Sequence, residues 1–255
     1  MNQKNDQWQQ YIGSVWASLL FNHSLNCSGS IIEVGPGFTD KIGCGLAKLQ
    51  FRGKIYVLEP NTVALEWVTN RYKTLLPNST IIAVNSATED ACAMLPDEVD
   101  AVLMNHVLDD MILYAGLTTN EKQTIFSRIK PGEPCLSQVR YTWQVLLSNP
   151  LYLSTLSQKV LTNLLNLIYR TNARIVGISQ YKSWFLLQNE LNEADLIGKK
   201  LLCEMILKLG GLSVKDKDTL LSYDQHPEDW LVIDRGNTYP MEDYSPGYKK
   251  QPFIN

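Results

Sequence analysis

The chain has 255 residues, 45% of them hydrophobic and 19% charged, and its 23 Lys and Arg against 26 Asp and Glu leave a net charge of −3. It is too apolar and too weakly charged for a disordered chain, and its slight acidity argues against a broad nucleic-acid surface. Five cysteines (Cys27, Cys44, Cys92, Cys135, Cys203) stand far apart with no C-x-x-C pair, which fits reduced thiols in a cytoplasmic protein, with neither a disulfide framework nor a metal site expected. Residues 1–10 are polar, unlike a secretory signal. The longest apolar region, 143–169, is broken by Ser148, Asn149, Pro150, Gln158, Lys159 and Asn163; a membrane span needs about 20 mostly apolar residues, so a soluble chain is expected.

The elements alternate. Trp8, Tyr11, Ile12, Val15, Trp16, Leu19 and Leu20 recur at helical spacing and predict an N-terminal helix. Residues 30–35 read as a buried strand ending in glycine, followed by a turn and a helix through Ala47, Lys48 and Leu49. Residues 54–59 form the second strand, and Asn61 or Thr62 caps the next helix. Strands at 80–84 and 100–104 complete a β-α-β-α-β-β rhythm, the pattern of a parallel sheet covered by helices on both faces. Beyond them come a helix over 121–129 stopped by Pro131-Gly132, and a leucine-rich helix opened by Asn149-Pro150. A strand follows at 174–178. The helix at 192–209 has Asn192 and Asp195 in a capping-box arrangement, and a last strand lies at 230–234. The tail, 237–255, reads as extended.

The chemistry concentrates at Glu33-Val34-Gly35-Pro36-Gly37-Phe38-Thr39-Asp40. A G-x-G turn after a first strand lets a ligand approach the backbone. The third glycine of a dinucleotide fingerprint is replaced by Asp40, and no Gly-Lys-Ser/Thr triphosphate loop is present. Carboxylates at Glu33 and Asp40 would repel a pyrophosphate and accept a ligand carrying ammonium and sulfonium groups. Glu59, followed by Pro60 and Asn61, ends the second strand near the ~20-residue spacing at which a ribose-binding acid is expected.

At these residues the chain resembles the class I S-adenosylmethionine-dependent methyltransferases. Glu33 to Gly37 match that family's first motif, Glu59 its ribose-binding acid, Asn85-Ser86-Ala87-Thr88-Glu89 its adenine-contacting stretch, and residues 100–110 its fourth motif. Ser86 departs from the pattern, standing where the family often has an acid. Ile129-Lys130-Pro131-Gly132 is similar to its turn before the fifth strand. The resemblance spans about residues 30–132 and implies a seven-stranded, doubly wound, mostly parallel α/β sheet of the Rossmann-like methyltransferase fold. On this reading 1–236 form one domain, with a helical insertion at 134–171 before the fifth strand. S-adenosyl-L-methionine would be the cofactor and S-adenosyl-L-homocysteine the product. The implied cofactor residues are Glu33, Gly35, Pro36, Gly37, Glu59, Pro60, Asn61, Ser86, Ala87, Thr88, Asn105 and His106.

Asn105, His106, Asp109 and Asp110 follow the fourth strand, where ligands of such sheets bind. His106 is a candidate base or orienting group, and Asp109 and Asp110 are candidates for a substrate amine; packing and helix capping are the plainer alternatives. With 174–178 as the fifth strand, Tyr181 and Trp184 fall at the acceptor side, Tyr181 as a second candidate catalytic group. A competing assignment makes 135–139 the fifth strand and moves the pocket to Gln138–Tyr141. The preferred assignment completes seven strands with one near 212–214. The leucine stripe of the insertion reads as core packing first, with a lid or a homodimer face as open alternatives. The expected activity is methyl transfer to a small-molecule acceptor, without nucleic-acid or membrane partners. Aminocarboxypropyl transfer on the same fold (as in nicotianamine-type synthases), a non-catalytic cofactor-binding module and, more distantly, a nicotinamide dehydrogenase are the alternatives.

Overall fold

Strand β1 (Ser30–Val34) follows helix α1 (Gln3–Asn22), and then come α2 (Lys41–Lys48), β2 (Lys54–Leu58), α3 (Thr62–Leu75) and β3 (Thr80–Val84). A 3₁₀ turn at Ala91–Met94 leads to β4 (Ala101–Asn105), α4 (Leu108–Gly116), α5 (Leu136–Leu147), α6 (Pro150–Arg170) and β5 (Ile175–Ser179). The chain continues through α7 (Asn192–Leu209), α8 (Val214–Ser222) and β6 (Trp230–Asp234). This computed structural model describes residues 3–122, 136–182, 186–187 and 190–237. The expected helix over 121–129 lies outside the described residues beyond Lys122, as do Ile129-Lys130-Pro131-Gly132, Trp184 and the tail from residue 238.

The six strands lie in the order β3-β2-β1-β4-β5-β6. All neighbours are parallel except β5 and β6, which pair antiparallel from Ile175 opposite Asp234 to Ser179 opposite Trp230. Alternation along the strands builds two cores. Ile31, Ile55, Val57, Ala101 and Leu103 pack on α1, α2, α3 and α8, whereas Ile32, Val34, Val102 and Met104 pack on α4, α5, α6 and α7. Each fully buried aliphatic side chain contributes about 1.5–3 kcal/mol of transfer free energy, so the sheet is held from both faces.

Local signals account for most ends. Asn61 caps α3, its Oδ1 accepting from the amides of Val63 and Ala64 at 3.0 and 3.2 Å. Asn149 accepts from Tyr152 N, with Pro150 in the first turn of α6. The expected capping box at Asn192 and Asp195 does not form: Leu191 is the cap residue and Asn192 already belongs to the helix. Asp90 precedes a 3₁₀ turn without capping it by its side chain.

Two larger expectations change. Among the described residues the sheet has six strands, not seven, because 212–214 form no strand. Gly210, at φ +105°, ends α7, and Ser213 caps α8 by accepting from Asp216 N at 3.1 Å and donating to its carboxylate at 2.5 Å. The local capping bonds thus make a helix where an apolar pair had read as a strand. The fifth strand is 175–179; the competing segment lies in α5 from Leu136 onward. The leucine stripe of α6 packs inward, with Leu156, Val160, Leu161, Leu164, Leu167 and Ile168 all in the core. Among the described residues no helix is long and apolar enough to cross a membrane.

Candidate functional site

The strand order reverses between β1 and β4, so the loops leaving these strands diverge and open a crevice at their carboxyl ends. A cavity of about 470 Å³ fills it. One wall is the turn Gly35-Pro36-Gly37, the end of β2 from Leu58 to Asn61, and Ser86 to Glu89 after β3. The facing wall comes from Asp109, Asp110, Met111 and Tyr114 of α4, Val139 and Trp143 of α5, and Val160 and Asn163 of α6.

Gly35 and Gly37 hold φ of +60° and +58°, the left-handed region that glycine enters without strain. A Cβ on Gly35 would fall 2.3 Å from Val107 Cγ2, whereas one on Gly37 would stand in open space. Four amides of this turn, those of Gly35, Gly37, Thr39 and Asp40, are already committed. Gly35 N donates to Leu58 O at 2.8 Å, and Thr39 N to Pro36 O at 3.2 Å. Gly37 N donates to Glu59 Oε2 at 3.0 Å and Asp40 N to Gln9 Oε1 at 2.7 Å. Proline supplies no donor at position 36. Glu59 also accepts from Asn61 N at 2.9 Å. Burial pushes its carboxyl up to about 6, and these two amide bonds oppose the rise. Asn85 ties the ends of β2 and β3 together, its Nδ2 donating to Glu59 O and Pro60 O at 3.0 and 3.1 Å.

Glu33 is not part of the cavity wall. It shares the strand face of Ile31 and accepts from Tyr72 Oη at 2.5 Å, while Tyr72 Oη accepts from Gly43 N. Burial pushes the Glu33 carboxyl up to about 8, the Tyr72 bond opposing and Asp40 and Glu59 adding to the rise, so it is neutral at pH 7. Asp40 is buried and ion-paired: Arg71 Nε and Nη2 both donate to its Oδ2, at 2.9 and 2.7 Å. Repulsion of a pyrophosphate by two free carboxylates therefore does not describe this turn. One acid is neutral and the other is matched.

At the end of β4, Asn105 commits its amide to the sheet. Its Oδ1 accepts from Trp16 Nε1 and Ser179 Oγ, and its Nδ2 donates to Tyr181 Oη. His106 lines the cavity at φ +53°, an uncommon conformation for a residue with a Cβ, held by its amide donating to Ser179 O at 2.7 Å. Burial lowers its pKa, Asp109 opposes this and Lys41 reinforces it, so the imidazole is neutral at pH 7. Tyr181 stands behind His106, stacked on its ring at 5.1 Å, and does not line the cavity. Asp109 is buried and accepts from Gln180 Nε2 at 2.8 Å, while Gln180 Oε1 accepts from Leu108 N. Asp110 opens into the cavity. Asp110 is exposed at the cavity wall, and desolvation on its protein side, then the carboxylates of Asp109 and Glu59, push its carboxyl upward.

Pro36, Glu59, Pro60, Asn61, Ser86, Ala87, Thr88, Asn105, His106, Asp109 and Asp110 thus meet at one cavity with the two glycines, while Glu33 and Tyr181 do not. Sequence reasoning passed over Lys41, which lines the cavity at the start of α2, and the apolar wall of Phe38, Met111, Tyr114, Trp143 and Leu186. The position of Lys41 just after the glycine turn was a usable signal. The wall had none, because only tertiary packing decides which face of α5 and α6 looks inward.

No protein-family model matches the chain, and no curated protein does. Solved structures do match. The plantazolicin methyltransferase BpumL, in complex with SAH, is similar at 11% identity over 91% of this chain and 87% of that one, with a TM-score of 0.45. The methyltransferase domain of bacterial CtHen1 is similar at 13% identity over 85% of each chain, with a TM-score of 0.43. The bifunctional kinase-methyltransferase WbdD matches at 10% identity and a TM-score of 0.37 over 68% of this chain, which spans 28% of the WbdD chain.

Proposed function

We propose that this protein transfers a methyl group from S-adenosylmethionine to a small-molecule acceptor. The observation that carries the reading is the state of the glycine turn. Its amides at Gly35, Gly37, Thr39 and Asp40 already donate to protein oxygens, and Pro36 has none to offer. A pyrophosphate needs such amides free; a nucleoside without phosphates does not. The cavity wall also carries Glu59, Glu89, Asp109 and Asp110 against one cation, Lys41, among the described residues, a balance that suits a sulfonium.

Within this reading Glu59 accepts the ribose hydroxyls, the segment Pro60-Asn61 with Ser86, Ala87 and Thr88 flanks the adenine, and Lys41 pairs with the carboxylate of the methionine portion. The open space at Gly37 leaves the backbone approachable there. When bound, the cofactor supplies an electrophilic methyl group on sulfur. The chain's own residues align the acceptor and exclude water: Trp143, Val139 and Val160 close the far wall, and neutral His106, fixed by its backbone and by Tyr181, orients the acceptor at the end of β4.

The test is calorimetric titration with S-adenosylhomocysteine and with NAD, on the wild type and Glu59→Ala. S-adenosylhomocysteine binds and NAD does not, and Glu59→Ala weakens the former by roughly 10- to 100-fold, the scale of hydrogen bonds to a charged group. Binding of NAD with none of S-adenosylhomocysteine would overturn the reading. Thioether product rather than methylthioadenosine in a turnover assay separates methyl from aminocarboxypropyl transfer.

A further inference from the structure

The far half of the cavity has a chemistry of its own. Asp110 and Tyr114 lie one turn apart on α4 and so share a face, with Met111 beside them and Trp143 and Val160 opposite. Besides Asp110, the polar side chains of this half are Asp109, Tyr114 and Asn163, the last donating to Glu89 at 3.1 Å. Among the described residues the wall's one cation, Lys41, stands at the other end, by the glycine turn. Two cations outside the wall contact residues of it: Lys159 pairs with Glu89 at 3.9 Å, and Lys122 Nζ lies over the Tyr114 ring at 4.3 Å. Asp109 is held by Gln180, so Asp110 is the acid turned toward a ligand.

We propose that the acceptor is a compact amine with an apolar or aromatic body, its nitrogen held by Asp110 and its body packed on Met111, Trp143 and Val160. The proposal rests on the methyl-transfer reading above. Size agrees with it: pockets of about 300–1,000 Å³ hold one drug-sized ligand, so a cavity of about 470 Å³ that also takes the cofactor leaves room for a small acceptor only. So does charge. A carboxylate among Asp109, Glu59 and apolar side chains is held in its charged form by a cation at hydrogen-bond distance, and an ammonium is that cation.

The same group balances the reaction. An amine arrives as an ammonium and must lose a proton before its lone pair can react. Asp110 takes that proton and becomes a neutral acid. The nitrogen lone pair then forms the N–CH₃ bond as the S–CH₃ bond breaks, its electron pair remaining on sulfur as a thioether. The product leaves as a methylated ammonium. The upward shift of the Asp110 carboxyl narrows the gap between acid and amine, which makes this proton transfer less uphill.

The experiment compares phenethylamine, phenethyl alcohol and hydrocinnamate, which share a body and differ in the head group. Each is titrated calorimetrically into the protein saturated with S-adenosylhomocysteine and assayed for methylation, on the wild type and Asp110→Asn. Phenethylamine binds and is methylated, and the other two do neither. Asp110→Asn lowers amine affinity roughly 10- to 100-fold and leaves S-adenosylhomocysteine affinity unchanged, which also reports an intact fold. The proposal falls if the alcohol or acid binds as well as the amine, if none of the three binds, or if Asp110→Asn weakens S-adenosylhomocysteine rather than the amine. Failure of S-adenosylhomocysteine to bind the wild type overturns the cofactor reading itself and is a separate result.

Discussion

Glu33 keeps its proton because the space between β1, α2 and α3 offers it one hydroxyl, Tyr72, and no cation. An ordinary glutamate titrates near 4.5 and this one near 8, so its contribution to stability is complete below the first value and is lost as pH rises toward the second. The melting temperature of the wild type should therefore fall between about pH 5 and 8, with Asp110 adding to the slope. Glu33→Gln keeps an acceptor for Tyr72 and removes the titration. Circular-dichroism melts across that range should give a flatter curve for the variant, crossing above the wild type by pH 9. Parallel curves would mean that Glu33 is ionised in the folded chain. The sequence made this carboxyl look like a ligand-binding acid because β1 is buried on both faces. In such a strand the apolar run hides which residues share a side, and Glu33 shares its side with Ile31. The role of Asp40 was hidden differently, since Arg71 lies 31 positions away along the chain. Gly35, Gly37 and Glu59 were legible because a turn, a close approach and a strand end leave local marks.

Among the elements, strands and helices with strong local signals appear where the sequence put them, and the difficult segments are those whose partners are distant. The start of α8 is an exception: Ser213 caps it through a bond only three residues long, and Val214, one of the apolar pair that read as a strand, is its first residue. Helix α6 shows the opposite case. Its stripe read as core packing first, with a lid or a dimer face as alternatives, and it packs into the core against α4 and α7. Leu161 is 1% exposed, so Leu161→Asp buries a carboxylate without a partner and should cost about 4 kcal/mol or more. Denaturant titration should show a large fall in midpoint. A variant of native stability that merely changed its elution volume would indicate instead that this stripe meets a second copy.

For the whole molecule, the alternation of elements indicated a parallel sheet covered by helices on both faces, and the structure has one, with β6 alone antiparallel. It could not reveal that the insertion contributes Val139, Trp143, Val160 and Asn163 to the cavity wall. The two walls are built by different layers: the nucleoside side by loops of the sheet, the acceptor side by α4, α5 and α6. The buried acid on β1 also marks the entire folding reaction. At pH 7 the native chain holds a proton on Glu33 that the unfolded chain surrenders, so unfolding delivers about one proton to the solvent from this site. The heat absorbed in scanning calorimetry then depends on who receives it. In Tris, whose protonation releases heat, the apparent unfolding enthalpy should be smaller than in phosphate at the same pH and melting temperature, and Glu33→Gln should reduce that difference by the share of its one proton.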